Sequence, residues 1–255
     1  MNISIASYAF HGLLGEGKMD VFGYLETCKF RYRVDMADIW NGFLPTTEEG
    51  FIRKVREAMD EKEMGLANLC CDQCQVWDDD PALREKQYQN SLAHLRVAVI
   101  LGAETVRIDM GGRELGMTSE QFDHTAARFR EYAEFAGDHG FRVGPENHYG
   151  PARSQVNMAR LREAVDDPAF GYLLHFGNWA EDMDASDASV APWAMHTHVS
   201  AQTVDTNLEA KMTMLRDAGY QGYWGIEHHS AKNEYAEVAW QVAEVRRVLA
   251  RWASA

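Results

Sequence analysis

The sequence predicts an α/β protein with a single domain, a (β/α)₈ barrel that spans residues 1–255. Eight short apolar runs follow one another along the chain, and each is followed by a segment with helical spacing. No low-complexity stretch, charge block or linker rich in Pro, Gly or Ser divides these segments. Closing eight parallel strands into a barrel also removes the exposed edges that an open sheet leaves.

The eight apolar runs have the length of buried parallel strands. A doubly wound open sheet is the structural alternative, but SYAFHGLLGEGK after the first run lacks the G-x-G-x-x-G spacing that binds dinucleotides. Pro145 is awkward in the fifth run, because proline cannot donate a hydrogen bond to a neighbouring strand. The predicted strands are residues 2–8, 34–40, 65–71, 104–110, 141–146, 171–176, 194–199 and 223–228.

Several intervening segments begin with a capping pattern and continue with an apolar stripe. Thr46 and Glu49 have the spacing of a capping box, as do Thr118 and Gln121. Asp80, which precedes a proline, suits the N-cap of the helix that follows. The predicted buried stripes are Ile52, Val55 and Met59; Leu92, Leu95 and Val99; Phe122, Ala126, Phe129, Ala133 and Ala136; and Val238, Val242, Val245, Leu249 and Trp252.

The composition argues against several classes of partner. A formal charge of −14, from 39 acidic and 25 basic residues, would repel a phosphate backbone, so we expect no nucleic-acid partner. No run of 18 apolar residues occurs, and MNISIASYAF lacks the basic flank of a signal peptide, which predicts a cytoplasmic protein with no membrane partner. The four cysteines include three in CCDQC, a spacing that favours reduced thiols over a structural zinc site.

The candidate site residues end the last four apolar runs. In a barrel of this kind the active site lies at the carboxyl ends of the strands. Ionised carboxylates beside several imidazoles are costly to bury without a cation, so the pattern predicts one divalent metal ion. Imidazole and carboxylate ligands suit Mn²⁺, Fe²⁺, Co²⁺, Ni²⁺ and Zn²⁺. These residues are Glu146, Asn147 and His148; His175 and Asn178; His196 and His198; and Glu227, His228 and His229.

Three segments, in their order and spacing, resemble the xylose-isomerase-like barrels. That family includes sugar and sugar-phosphate isomerases and epimerases, hydroxypyruvate isomerase, inosose dehydratase and the endonuclease IV class. The resemblance implies the same barrel fold, a small carbohydrate substrate and one divalent metal ion, with Mn²⁺ expected first and Mg²⁺ also compatible. The segments are EYAEFAGDHGFRVGPENHYG, HTHVS and GYWGIEHH.

Carried over residue by residue, the resemblance implies four metal ligands. Glu146 and Glu227 match the family's two metal-binding glutamates, and His198 matches its metal-binding histidine. The fourth family ligand is an aspartate, and HFGN places His175 there. His175 is therefore either a ligand of a different type or a residue that does not bind the metal. A neutral ligand in place of an anion should make the ion a stronger Lewis acid and weaken its preference for Mg²⁺.

Further residues at the predicted rim are candidates for substrate contact. Arg107 could bind substrate oxygens through its guanidinium group, with a structural salt bridge as the alternative. Trp40 and His11 could supply an apolar wall and a hydroxyl contact, with plain packing as the alternative. Asp38, which ends the second run, could orient another group. The full set of substrate-binding candidates is His11, Trp40, Arg107, His148, Asn178, His196 and His228.

The chain departs from the family pattern at two further places. Ser200 and Ala201 replace a Lys-Asp pair that often follows the His-x-His strand, and Asn178 stands where several epimerases carry a histidine. Both departures concern the substrate rather than the metal. They leave the reaction open between isomerisation and elimination.

Together these residues predict a metal-dependent isomerase or epimerase of a keto-sugar or polyol-derived substrate, acting through a metal-stabilised enediolate. Glu146 or Glu227 would remove a carbon-bound proton, and the other would return it. The alternative enzyme is a lyase or dehydratase that performs β-elimination on a keto-sugar, keto-glycoside or keto-inositol. A barrel that binds a sugar without catalysis is the alternative outside enzymes. We expect an unphosphorylated substrate, and a homo-oligomer is compatible with the sequence.

Overall fold

Eight parallel strands form a nearly closed barrel in the structure, a computed structural model that describes residues 2–254. Every strand overlaps its predicted run, so the prediction of a (β/α)₈ barrel is confirmed. The strands are β1 (Ile3–Ala6), β2 (Met36–Trp40), β3 (Gly65–Cys71), β4 (Ala103–Ile108), β5 (Arg142–Gly144), β6 (Tyr172–His175), β7 (Ala194–Ser200) and β8 (Trp224–Glu227).

The barrel closes between β5 and β6. The eight strands pair with their neighbours in the order β5-β4-β3-β2-β1-β8-β7-β6. The first and last strands of this order, β5 and β6, meet only through isolated bridges. Pro145 lies at this seam, just beyond the pairing of β4 with β5, which ends at Gly144. Its carbonyl accepts a hydrogen bond from the Leu173 backbone N–H at 3.0 Å. The absent N–H of Pro145 is therefore tolerated at the end of a short strand.

Helices surround the barrel and alternate with the strands. Within residues 2–254, no helix is long and apolar enough to cross a lipid bilayer. The helices are α1 (His11–Gly15), α2 (Val21–Glu26), α3 (Glu49–Glu61), α4 (Pro81–Leu101), α5 (Ser119–His139), α6 (Gln155–Val165), α7 (Met183–Val190), α8 (Ala201–Thr206), α9 (Leu208–Asp217) and α10 (Glu234–Ala253).

Two of the three predicted helix caps are present. The capping box that begins at Thr118 is confirmed, and the Asp80 carboxylate accepts a hydrogen bond from the Ala82 N–H at 2.9 Å. The capping box predicted at Thr46 is wrong. Helix α3 begins only at Glu49, so the Thr46 hydroxyl accepts from the Glu48 N–H outside the helix, at 3.1 Å.

The apolar stripes predicted for α3, α5 and α10 face the barrel. The stripe predicted for α4 is wrong at Val99, which is 40% exposed. The buried face of α4 instead follows Ser91, Leu95 and Ala98, and Val99 points away because successive helical residues are rotated by about 100°. This burial forms an apolar layer between the strands and the helices.

The interior of the barrel, by contrast, contains a buried hydrogen-bonded network. The Thr105 hydroxyl donates to Asn68 Oδ1 at 2.9 Å, and Asn68 Nδ2 donates to Asp38 Oδ1 at 3.0 Å. The other carboxylate oxygen of Asp38 meets the rings of His196 and His198 from the opposite side of the barrel. Buried polar groups are costly unless they are hydrogen-bonded, so this network fixes the side chains beneath the barrel mouth.

Candidate active site at the carboxyl ends of the strands

A cavity of about 320 Å³ opens at the carboxyl ends of the strands. Each of the eight strands, or the loop that follows it, contributes at least one lining side chain. Ten of the residues singled out from the sequence line it: Asp38, Trp40, Arg107, Glu146, His148, His175, Asn178, His198, Glu227 and His229. The lining also includes Ala6, Tyr8, Cys70 and Asp72.

Four of these side chains, Glu146, His175, His198 and Glu227, form what we call the upper cluster. Their nearest ligand atoms all lie within 4.8 Å of one another. His175 Nδ1 lies 3.2 Å from Glu146 Oε1 and 3.4 Å from Glu227 Oε2. His198 Nδ1 lies 3.4 Å from the same Glu227 oxygen and 3.9 Å from Glu146 Oε1. The structure therefore brings together the four residues that the family resemblance implied as ligands.

Two atoms of the upper cluster lack the hydrogen bonds that burial demands. His198 Nδ1 is buried without a hydrogen-bond partner. Glu227 Oε2 likewise has no well-aligned donor, although His229 Nε2 lies 3.1 Å away. Such unpartnered buried atoms are rare, because each costs free energy. Two carboxylates and two imidazoles that converge, with two of their atoms unpartnered, form a donor set that fits a divalent cation.

A second group, Asp38, His196 and His198, forms what we call the lower cluster, one layer deeper in the barrel. Asp38 Oδ2 lies 2.7 Å from His196 Nε2 and 3.1 Å from His198 Nε2. Burial raises the pKa of the Asp38 carboxyl, but the two imidazoles more than offset this effect and hold the pKa well below its usual range. Ionised Asp38 can accept the Nε2–H of His198, and a neutral His198 ring in that tautomer would direct the lone pair of Nδ1 at the upper cluster.

Arg107 neutralises the carboxylates on the β3 to β5 side of the cavity. Its Nη1 atom lies 2.9 Å from Asp72 Oδ1 and 2.9 Å from Asp109 Oδ2, and its Nε atom lies 3.4 Å from Glu146 Oε2. Burial raises the pKa of Glu146, but the hydrogen bond from His175 and the nearby cations bring it down to about 2. Glu146 is therefore ionised at neutral pH and able to accept a proton. Arg107 thus forms salt bridges and lines the cavity as well.

Glu227 ends β8 beside two histidines that differ in direction. His229 approaches the Glu227 carboxylate and lines the cavity, whereas His228 Nε2 lies 3.2 Å from the Lys232 carbonyl oxygen and is absent from the lining. Successive residues of an extended chain point to opposite sides, so His229 returns to the side of Glu227 and His228 does not. The structure therefore places His229 in the cavity, whereas His228, the residue expected there, lies outside it. The two-residue spacing from Glu227 could have identified His229.

His11 and His196 also lie outside the cavity lining, contrary to expectation. The His11 ring stacks on Tyr8 with their centroids 4.5 Å apart, and its Nδ1 lies 2.8 Å from the Tyr8 carbonyl oxygen. It therefore supports Tyr8, which faces the cavity in its place. His196 is only 1% exposed because it binds Asp38 one layer below the mouth.

Aromatic and amide groups complete the walls. Trp40 meets Tyr8 edge-on, with ring centroids 5.2 Å apart, and its indole N–H donates to Asp72 Oδ2 at 2.8 Å. The Asn178 side-chain amide donates to the carbonyl oxygens of Asn147 and His148, at 2.8 and 3.0 Å. Asn178 therefore holds the loop after β5 with its nitrogen and leaves its oxygen for a ligand.

His148 is a half-exposed cation at the mouth of the cavity. Its Nδ1 lies 3.4 Å from Asp109 Oδ2. This hydrogen bond and the charge of Glu146 together raise the pKa of His148 to about 9. Protonated His148 presents a donor toward the solvent-facing part of the cavity.

Comparison with known proteins identifies the family and the fold. The family profile described as "Xylose isomerase-like TIM barrel" matches residues 30–249. None of the curated proteins matches the sequence. The solved structure of apo 3-keto-D-glucoside 4-epimerase, YcjR, from E. coli superposes with a TM-score of 0.79 at 15% identity, covering 97% of this chain and 99% of that chain.

Two further solved structures share the barrel. The probable 3-DHS dehydratase AsbF from Bacillus anthracis gives a TM-score of 0.74 at 14% identity, covering 96% of this chain and 99% of that chain. A D-allulose 3-epimerase from Methylomonas sp., in complex with D-allulose, gives a TM-score of 0.74 at 12% identity, covering 96% of each chain. At these identities the similarity shows the fold.

Proposed function

The chain belongs to the xylose isomerase-like TIM-barrel family, and we propose that it is a divalent-metal-dependent isomerase or epimerase of a keto-sugar or related polyol-derived substrate. The observation that carries the proposal is the upper cluster, in which two carboxylates and two imidazoles converge with two unpartnered atoms. Epimerases named for a 3-keto-glucoside and for D-allulose share this fold, which supports a carbohydrate substrate.

Glu146, His175, His198 and Glu227 would hold the metal ion. When bound, a divalent ion supplies Lewis acidity, which makes a carbon-bound proton beside a carbonyl group easier to remove. Two imidazoles and two carboxylates favour Mn²⁺, Co²⁺, Zn²⁺, Fe²⁺ or Ni²⁺ over Mg²⁺, which prefers oxygen ligands. We expect Mn²⁺ first.

Glu146 and Glu227 would transfer the proton. Glu146 follows β5 and Glu227 ends β8, so they reach the cavity from different strands. The side chain of Arg107 lies next to the Glu146 carboxylate, and His229 lies next to the Glu227 carboxylate. Burial raises the pKa of Glu227, but His198 and His229 more than offset this effect and hold it well below its usual range. Both carboxylates are therefore ionised at neutral pH, the protonation state that a base requires. Two bases on different strands allow removal and return on different faces or at neighbouring carbons.

The remaining walls would orient a neutral sugar. Tyr8 and Trp40 supply flat apolar surface of the kind that packs against the C–H face of a sugar ring. The side-chain oxygen of Asn178 and the ring of His148 offer an acceptor and a donor for hydroxyl groups. Lysine is absent from the described lining, and Arg107 is already paired with carboxylates, which favours an unphosphorylated substrate.

Elimination is the second candidate reaction. Ser200 ends β7 and Ala201 begins α8 where related enzymes often carry Lys-Asp, so groups expected near the substrate of an epimerase are missing. The fold is also shared by a probable dehydratase. The same base, Glu146 or Glu227, would start either reaction, and the products distinguish the two.

Metal content tests the site. We would measure metals by elemental analysis in the wild-type protein, His175→Ala and Glu227→Ala, with His139→Ala as a control because His139 is an exposed histidine on α5. We expect about one ion per chain, lost in both site variants and retained in the control. Loss in Glu227→Ala alone would reduce His175 to a substrate contact. A wild-type protein that binds no metal, even when supplied with Mn²⁺ or Zn²⁺, would refute the proposal.

Incubation with keto-sugars in deuterated water tests the reaction. Deuterium incorporated at carbon with the carbon skeleton retained would support isomerisation or epimerisation. A new unsaturated product would instead support elimination. A protein that binds the sugar and catalyses neither change would be a sugar-binding barrel.

A further inference from the structure

The cavity adjoins a groove that runs outward over the loops after β3, β4 and β5. Trp40, Asp72 and His148 line both the cavity and an adjoining hollow of about 640 Å³. That middle hollow shares Gln73, Gln75, Asn90 and Tyr149 with an outer hollow of about 620 Å³. We call these two hollows the outer groove. A group attached to a ligand in the cavity would therefore reach the outer groove past the side chains of Trp40, Asp72 and His148.

The inner cavity is small for a ligand pocket. Ligand pockets commonly measure roughly 300–1,000 Å³, and the inner cavity, at about 320 Å³, lies at the lower end of that range. The middle hollow alone is about twice as large. A free monosaccharide would leave the outer groove to solvent, whereas a substrate with a second ring would occupy it.

The residues at the centre of the outer groove suit a neutral polyhydroxylated group. Gln73, Gln75 and Asn90 offer carboxamides, which both donate and accept hydrogen bonds as hydroxyl groups require. Tyr149 adds a half-buried aromatic ring whose hydroxyl lies near the Gln75 side chain. Gln73 lies in the turn after β3 with a φ of +57°, and it is exposed at the rim.

The charge of the groove argues against an anionic extension. Within the described chain, no lysine or arginine lines the middle hollow, where Asp72 and Asp109 are paired with Arg107 and protonated His148 lies beside Asp109. The outer hollow combines Lys86 and Arg113 with three aspartates, residues 78–80. A phosphate or nucleotide group would therefore meet no lysine or arginine in the middle hollow and a net negative charge in the outer hollow.

We propose that the substrate is a glycoside, in which the keto-sugar ring occupies the inner cavity and a second, neutral sugar ring occupies the outer groove. This inference rests on the proposed function for the assignment of the inner ring. The groove itself, defined by Gln73, Gln75, Asn90 and Tyr149, is a binding subsite that acts on affinity rather than on the proton transfer.

The test compares two probes that differ only in the group attached to the keto-sugar. Methyl 3-keto-β-glucoside has a methyl group there, and 3-ketocellobiose oxidised in its non-reducing ring has a second glucose. We would titrate both calorimetrically into protein supplied with Mn²⁺, and follow deuterium exchange at carbon by NMR in the same samples. We expect the disaccharide to bind at least about tenfold more tightly.

Substitutions in the groove should act on the disaccharide alone. Gln75→Ala should weaken its binding by about three- to tenfold, and Gln75→Trp, which fills the middle hollow, should remove its advantage. The control is Gln89→Ala, because Gln89 is exposed on α4, outside the groove, and should leave both probes unchanged. Equal binding of the two probes, or equal weakening of both in Gln75→Trp, would overturn the glycoside inference.

Failure of the proposed function would look different. If the disaccharide binds better in a groove-dependent way but neither probe exchanges deuterium, the groove inference stands and the isomerase proposal fails. If both probes exchange deuterium and bind with equal affinity, the isomerase proposal stands and the groove inference fails.

Discussion

Two clusters in the barrel share His198, and they differ in whether their polar atoms have partners. In the lower cluster, Asp38 Oδ2 lies within hydrogen-bonding distance of Nε2 on both His196 and His198. In the upper cluster, His198 Nδ1 and Glu227 Oε2 have no hydrogen-bond partner. Both clusters place three or more carboxylate and imidazole groups close enough to bind a metal. Residue type and proximity therefore do not distinguish them.

This difference in hydrogen bonding indicates that the two clusters have different roles. A satisfied cluster gains little from a cation, because its carboxylate already accepts hydrogen bonds from the imidazoles. An unsatisfied cluster gains the full interaction. A third group, Asp109, Glu146 and His148, also has metal-binding proximity, but Arg107 already supplies its cation. We infer that the upper cluster binds the metal ion and that the lower cluster orients His198.

The largest expected effect comes from the glutamates of the upper cluster. Glu146→Gln and Glu227→Gln keep the side-chain shape but remove the base, so we expect each to lower kcat/KM for the keto-sugar by about 10³-fold or more. The control is Glu234→Gln, because Glu234 is a buried glutamate that caps the backbone of Gly12 and Leu13 and does not line the cavity. It should lower thermal stability and leave kcat/KM near the wild-type value. Activity retained in Glu227→Gln would contradict the assignment.

Removal of the metal should destabilise the wild-type protein and not the upper-cluster variant. An ion present at about 100 times its Kd contributes about 2.7 kcal/mol, which corresponds to a Tm shift of about 5–10 °C for a domain of this size. We would compare melting curves with and without a chelator for the wild type and Glu227→Ala. If the chelator lowers the Tm of both proteins equally, the stabilising ion binds elsewhere.

The lower cluster should affect metal binding only through orientation. Asp38→Asn removes the negative charge beside the two imidazoles, and its amide nitrogen would face either their N–H groups or the Asn68 donor, so His198 loses part of its fixed direction. We expect a 10- to 100-fold loss of metal affinity, the usual effect of removing a partner of a metal-binding histidine. Competition with a chromophoric chelator measures it. Complete loss of binding, as in Glu227→Ala, would place Asp38 among the ligands and abolish the distinction between the clusters.

The sequence was sufficient for the fold because each strand is a separate apolar run. Two predictions from the sequence were wrong, and both concerned local detail. The capping box at Thr46 depended on where α3 begins, and the burial of Val99 depended on how α4 is rotated against the barrel. Neither is fixed by hydrophobic periodicity alone, because tertiary packing decides them.

The sequence also indicated most of the candidate site, since polar residues that end parallel strands meet at one end of a barrel. It could not separate His228 from His229, because both follow β8 and only the direction of the chain decides which faces the cavity. It also missed Asp109, although Asp109 lies only two residues after Arg107 and this spacing places both side chains on one side of an extended chain. Tyr8 ends the first predicted run, just after β1. Nothing in its spacing shows that Tyr8, rather than His11, faces the cavity.

The smallest expected effect concerns His175, the member of the upper cluster that departs from the family pattern. His175 lies within 3.4 Å of both Glu146 and Glu227, so a carboxylate in its place would bring three anions together at the ion. His175→Asp should therefore raise affinity for Mg²⁺ relative to Mn²⁺ by about tenfold, since Mg²⁺ prefers oxygen ligands and gains most from an added charge. Metal competition titrations, with His175→Asn to separate oxygen from charge, measure the ratio. An unchanged ratio in both variants would show that His175 does not contact the metal, and the upper cluster would then supply three ligands.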